Sequence, residues 1–110
     1  MSEENKQEET LQVIMGLIMN GGDAKSSCME AIYAAKEGNF EEADQKLKDA
    51  DEALNRAHNS QTSMLTKEAS GDKVDITLLM VHAQDHIMNA ITFRDLAGEV
   101  VDIHRKISSK

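Results

Sequence analysis

The sequence predicts an all-α protein of one domain. Its 110 residues are enough for one hydrophobic core and too few for two. The chain has no proline, six glycines, one tyrosine and two phenylalanines, so aliphatic side chains and methionine must build the core. Alanine, glutamate, lysine, leucine and methionine are all abundant, and all five favour helices. Apolar residues recur at helical spacing in three segments, which we expect to form three packed helices.

The composition restricts the partners of the protein. Twenty acidic and 12 basic residues give a formal net charge of -8. Nucleic acids and anionic membrane surfaces bind basic patches, so we expect neither as a partner. The apolar runs are far shorter than the roughly 20 residues that cross a bilayer, and the chain begins with an acidic segment instead of a signal peptide. The single cysteine, Cys28, cannot form an internal disulfide. We therefore expect a cytoplasmic protein without membrane insertion.

The first helix is expected from Thr10 to Lys36. Residues 1–9 are charged and lack apolar periodicity, so we predict a disordered lead-in there and a single domain over residues 10–110. Gly21 and Gly22 could break the helix, cap it or let another helix come close. We expect continuity because apolar spacing resumes in register after them. The apolar face comprises Leu11, Ile14, Ile18, Cys28, Ile32 and Ala35, widened by Val13, Met15, Leu17 and Met19.

The second helix has the most regular apolar spacing in the chain. Gly38 suits the position just past the end of the first helix. Steps of three and four then alternate, which is typical of helices that pack nearly parallel or antiparallel to their neighbours. We expect the second turn at residues 66–72, and His58, outside the apolar seam, at the surface. The seam comprises Phe40, Ala43, Leu47, Ala50, Leu54, Ala57, Gln61 and Met64.

The third helix is expected from Asp75 to Ile107, with Asp72 or Asp75 as its cap. Between Ile76 and Ile91 its apolar residues fall on nearly every side. A helix that is apolar all round is normally buried all round, whereas a three-helix bundle covers one broad stripe of each helix. The surplus apolar face therefore predicts self-association.

Polar residues interrupt this apolar helix along one stripe. His82, Asp85, His86 and Asn89 stand at i, i+3, i+4 and i+7, so they share one helix face. Burial of such groups without partners is costly. We therefore expect these four residues to form either a hydrogen-bonded network or a chemically active site.

Two kinds of chemistry fit these four polar residues. Two histidines at i and i+4 are a familiar metal-ligand spacing, but Ala83 stands where zinc metalloproteases have glutamate. A third ligand would have to be Asp85 or come from another helix or chain. A neutral histidine can instead accept a phosphoryl group and pass it on. Since the chain has no glycine-rich nucleotide loop, such a carrier must receive its phosphoryl group from another protein. A structural or adaptor bundle, with the third helix as its association seam, is the remaining alternative.

Four segments of the sequence together resemble a known family. The main one is residues 81–88 (VHAQDHIM), and the others are residues 13–22 (VIMGLIMNGG), 34–40 (AAKEGNF) and 53–58 (ALNRAH). They resemble the lactose/cellobiose-type enzyme IIA components of the bacterial phosphoenolpyruvate-dependent sugar phosphotransferase system. These segments extend over most of the expected domain.

The resemblance implies a homotrimer of up-down-up three-helix bundles. It implies that His82 accepts a phosphoryl group from the phosphorylated histidine of HPr and donates it to a cysteine of a sugar-specific IIB component. Gln84 and His86 match positions beside that histidine, and we expect them to orient its ring or contact the phosphoryl group. Asp85 matches an aspartate that meets its copies on the trimer axis, where Mg²⁺ can relieve the repulsion between carboxylates. The sugar is expected to be a disaccharide of the cellobiose, lactose and chitobiose class.

Overall fold

The computed structural model describes residues 2–110, which form three long helices: α1 (Glu3–Lys36), α2 (Phe40–Ala69) and α3 (Leu78–Ser108). No strand occurs in this part of the chain, which confirms the all-α prediction. The two turns are short, so consecutive helices run antiparallel in a bundle of 61 × 20 × 19 Å. Helix α1 packs extensively against both other helices, whereas α2 and α3 contact each other less.

Helix α1 begins earlier than the apolar pattern predicts. It starts at Glu3 instead of Thr10, so helix replaces the disordered lead-in expected over residues 1–9, of which Met1 lies outside the described residues. The Ser2 hydroxyl accepts a hydrogen bond from the Asn5 amide at 3.2 Å, which caps the helix. Acidic residues occupy the first turn, where the helix dipole favours negative charge. Two ion pairs fix the segment to α2 and the turn after it, namely Lys67 with Glu9 and Lys6 with Asp72.

The turn between α1 and α2 follows the predicted signals. Gly38 has a φ of 80°, in the left-handed region that favours glycine, and this confirms its expected place just past the end of α1. The Asn39 side chain then accepts a hydrogen bond from the Glu42 amide at 3.3 Å and caps α2.

The second turn lies later than expected. Helix α2 continues to Ala69, so the turn comprises residues 70–77 instead of 66–72. Neither Asp72 nor Asp75 caps α3. The Thr77 hydroxyl does so by accepting a hydrogen bond from the Met80 amide at 3.1 Å. Asp72 instead pairs with Lys6 of α1, an interaction that the local sequence cannot show.

Alanine builds much of the core. The seam predicted on α2 faces the bundle, with Ala43, Ala50 and Ala57 fully buried. Small side chains let helix axes approach closely. Helix α1 is continuous through its glycine pair, as expected. The largest fully buried side chains are Leu17, Ile87, Val101 and Cys28.

Helix α3 leaves part of its apolar surface uncovered. Met80, Ala83 and Ile87 face the core, whereas six larger apolar side chains on another face are 52–85% exposed. We name this face the α3 stripe and include Asp85, Thr92 and Glu99, the polar residues that lie on it at the same spacing of three and four. The exposure shows that one bundle does not cover the surplus apolar face of α3. The exposed side chains are Leu78, Val81, Met88, Leu96, Ile103 and Ile107.

Within residues 2–110, none of the helices has the length and apolar character that a membrane span requires.

Candidate functional site

The two histidines of α3 stack on each other. The ring centroids of His82 and His86 are 6.0 Å apart, and the ring planes meet at 24°. His82 is exposed at the edge of the α3 stripe, whereas His86 is half-buried. The arrangement presents one imidazole to solvent and supports it with a second.

His86 lies against α1 at a position without a side chain. A Cβ placed on Gly21 would be 2.6 Å from Cδ2 of the His86 ring and 3.2 Å from its Nε2. Real Cβ atoms essentially never come as close as the first of these distances. The imidazole therefore fits here because residue 21 is glycine.

Burial lowers the pKa of His86 below its ordinary value. The positive charge of Lys25 on α1 and the neighbouring His82 lower this pKa further, whereas the Ile18 carbonyl and Asp85 act in the opposite direction. At pH 7 the ring is therefore neutral, with one nitrogen as donor and the other as acceptor.

The lowered pKa of His86 predicts a pH-dependent stability. Between the folded pKa and the unfolded value of about 6.5, the unfolded chain binds more protons than the folded chain. The contribution of His86 to stability is therefore present above about pH 6.5 and is lost as the pH falls through this window. Urea denaturation at about pH 7.5 and about pH 5.5 gives the free energy of unfolding at each pH. We expect the difference between these two values to be smaller in His86→Gln than in the wild-type protein. His58→Gln, at an exposed position, should keep the wild-type difference, and an unchanged difference in His86→Gln would contradict the prediction.

Asp85 and Asn89 form a second, separate pair. Nδ2 of Asn89 donates a hydrogen bond to Oδ2 of Asp85 at 3.3 Å, and both side chains are exposed. The four polar residues therefore do not form one buried network, and no polar side chain within residues 2–110 is buried. In the same part of the chain, no three histidine, cysteine or acidic side chains are grouped to hold a metal ion. An ion at Asp85 would need ligands from other copies of the chain.

Gln84 lies on the other side of α3 from His82. Residues two apart on a helix differ by about 200° in direction. The side chain faces α2, where Nε2 of Gln61 donates a hydrogen bond to Oε1 of Gln84. Nε2 of Gln84 in turn lies 3.9 Å from the Met80 sulfur. Within one chain Gln84 therefore does not contact His82, whereas His86 is beside His82 as expected.

Two contributions of α1 to this site were not predicted. The sequence indicated that another helix could come close at Gly21 but not which side chain would lie there, and nothing in the sequence pointed to Lys25. A glycine in a helix interior leaves room for a close approach, but whether a neighbouring side chain fills that room depends on how α1 and α3 are aligned.

The model of the family of lactose/cellobiose-specific IIA subunits of the phosphotransferase system (PTS) matches residues 12–105. The chain belongs to this family. The lichenan-specific phosphotransferase enzyme IIA component of Bacillus subtilis is 52% identical to it, over 94% of either chain. The crystal structure of the PTS cellobiose-specific enzyme IIA from Bacillus anthracis matches with a TM-score of 0.88 and 46% identity, covering 90% of this chain and 91% of that one.

One chain of a solved complex is also similar to this IIA protein. In the solution structure of IIA(chitobiose) with HPr from Escherichia coli, the matching chain gives a TM-score of 0.78 at 37% identity. The match covers 88% of this chain and 94% of that one. These findings confirm the family resemblance and the helical-bundle fold. They also identify the protein as a phosphotransferase component of the sugar phosphotransferase system.

Proposed function

We propose that His82 accepts a phosphoryl group from phosphorylated HPr and passes it to a cysteine of a sugar-specific IIB component. The observation that carries this proposal is the exposed His82 imidazole stacked on half-buried His86. Support for the donor comes from the solved complex of a related IIA protein with HPr.

The geometry of His82 suits an acceptor of this kind. In the first step, the lone pair of a neutral ring nitrogen attacks phosphorus as the bond between phosphorus and the donor nitrogen breaks. The proton that the His82 ring releases balances the one that the departing donor ring takes up. In the second step, a thiolate of the IIB cysteine displaces the His82 nitrogen from phosphorus, and the departing His82 ring takes up a proton that balances the one lost by the thiol. Exposure gives both proteins in-line access, and stacking on His86 limits rotation of the reactive ring.

The experiment that tests this function uses the purified chain with phosphoenolpyruvate, enzyme I and HPr. We expect intact mass spectrometry to show one added phosphoryl group per chain, labile in acid as phosphohistidine is. Addition of a cognate IIB component should remove the adduct and transfer it to the IIB cysteine. If no adduct forms while HPr itself is phosphorylated, the proposed function is wrong.

We propose that the protein acts as a homotrimer in which the α3 stripes of three copies meet. The stripe runs along nearly the whole of α3, and its six large apolar side chains are exposed in the single chain. Six large apolar side chains exposed along one face of a helix are typical of a surface that another protein or another copy covers. Because His82 lies at the edge of the stripe, the trimer would place a second copy beside the phosphoryl-accepting ring.

Asp85 lies within the α3 stripe, so the proposed trimer brings three carboxylates together. We propose that Mg²⁺ binds among them, with one Asp85 from each copy. Magnesium is a hard cation that prefers oxygen ligands, and it would relieve the repulsion between like charges in a poorly solvated interface. A single chain contributes one carboxylate to this position, so binding depends on assembly.

Replacement of Asp85 by leucine tests the ion. We expect the trimer to persist, because leucine continues the apolar stripe, and we expect its melting temperature no longer to differ between Mg²⁺ and EDTA. Thermal unfolding in the two solutions measures this. Asp102→Leu changes another exposed acidic residue of α3 outside the stripe and should keep the wild-type response. A persistent magnesium response in Asp85→Leu would exclude Asp85 as the ligand.

We propose a cellobiose-like disaccharide as the transported sugar, since similar proteins are named for lichenan and cellobiose. Growth of a deletion strain on different disaccharides would test it.

We also propose a cytoplasmic location, and the free thiol of buried Cys28 is consistent with it.

A further inference from the structure

Helix α1 contacts the His86 ring of the histidine pair, although the residues proposed to carry out the transfer all lie on α3. Glycine weakens a helix interior relative to alanine, so three glycines within α1 need reasons. A Cβ on Gly16 would meet nothing within 4 Å, and one on Gly22 would make an ordinary contact of 3.9 Å with Nε2 of His86. Only at Gly21 is the space of the missing side chain occupied, by the His86 ring and, at 3.3 Å, by Cδ1 of Ile87.

The position of the His86 ring is fixed from two directions. On one side it lies against the α1 backbone at Gly21, and on another it stacks on the ring of His82. The clash at a Gly21 Cβ would fall on Cδ2 of the imidazole, an atom of a rigid ring. The ring cannot bend away, so it must rotate or shift as a unit. Any such displacement changes the support of the His82 ring.

We propose that Gly21 is a positioning residue for phosphoryl transfer, because it leaves the space in which the His86 imidazole supports the reactive ring of His82. The inference rests on the proposed phosphoryl transfer by His82. Gly21 itself touches neither the reacting nitrogen nor the phosphoryl group in this role. It acts through the placement of one side chain on the neighbouring helix.

The test compares Gly21→Ala with Gly16→Ala, which makes the same change in the same helix where the added methyl meets open space. We expect Gly21→Ala to slow phosphoryl uptake from HPr by between about tenfold and about a hundredfold, the range for a small misplacement of a reacting group. Gly16→Ala should react at the wild-type rate. In NMR spectra of the unphosphorylated proteins, the ring signals of His82 should shift in Gly21→Ala and remain in place in Gly16→Ala. A wild-type rate with unshifted His82 signals in Gly21→Ala would overturn the proposal.

The same substitution in a His86→Ala background separates positioning from a general structural role. Once the imidazole is absent, we expect Gly21→Ala to change neither the residual rate nor the His82 ring signals. An equal additional loss in both backgrounds would overturn the proposal, because Gly21 would then act through the backbone or Ile87. If Gly21→Ala does not fold, folding of the double variant supports the steric role and its failure overturns it. The NMR comparison needs no phosphoryl donor, so it remains decisive even if the wild-type chain takes no phosphoryl group.

Discussion

Replacement of His82 by alanine will abolish phosphoryl uptake from HPr and leave the chain folded. The substitution removes the proposed nucleophile, and a fall in rate of at least about 10³ is the order expected for such a loss. Because the side chain is exposed, its removal opens no cavity in the core, and the helical circular dichroism should be unchanged. Intact mass spectrometry after incubation with the phosphorylating system measures the adduct.

The chain supplies matched controls for this substitution. His58 is exposed on α2 and His104 is half-buried near the end of α3, and neither lies in the stacked pair. His58→Ala and His104→Ala should therefore take up one phosphoryl group at the wild-type rate. An acid-labile adduct that persists in His82→Ala would place the acceptor elsewhere, with His86 the first candidate to map by fragmentation.

Leu96→Asp will dissociate the proposed trimer. Leu96 lies in the α3 stripe and is 59% exposed in the single chain, so its replacement should not disturb the bundle core. In the trimer, each aspartate would have to lie without a partner in an apolar interface, a placement that costs several kcal/mol. Light scattering after gel filtration should show the mass fall from three times the chain mass to the single-chain value of 12.2 kDa.

Leu65→Asp is the control for this change. Leu65 is 60% exposed, almost the same as Leu96, but it lies on α2 outside the stripe. The variant should remain trimeric. If both variants keep the wild-type mass, or if the wild-type protein is itself monomeric, the α3 stripe is not the assembly surface. A monomeric Leu96→Asp that still accepts phosphoryl groups would show that the acceptor site is complete in one chain.

The elements that could be predicted from sequence are those set by local pattern. The seam of α2 and the stop at Gly38 follow from apolar spacing and from backbone preference, and both are found in the structure. The start of α1 was predicted too late because residues 3–9 have no apolar face. Their helix is stabilised by a cap, charges in the first turn and ion pairs with residues more than 50 positions away, such as Lys67.

In the candidate site, too, the contacts within one helix could be predicted from sequence and the contacts between helices could not. The proximity of His82 and His86 follows from a spacing of four residues on one helix, so sequence alone predicts it. Gln84 stands two residues from His82, so the two side chains diverge on one helix, and the role that the family resemblance implies for Gln84 stays a prediction. The contacts of Gln84 with Gln61 and of His86 with Gly21 depend on the alignment of separate helices, which periodicity within each helix does not determine.

The alanine-rich core also bears on the lifetime of the protein in the cell. A methyl group buries little apolar area, so a slender bundle packed largely through alanines gains only modest free energy from its own folding. If the exposed apolar face of α3 is covered by other copies, mass action makes the folded fraction rise with protein concentration. At low protein concentration a larger fraction of the chains would then be unfolded and open to proteolysis. At high concentration assembly would protect most chains from degradation.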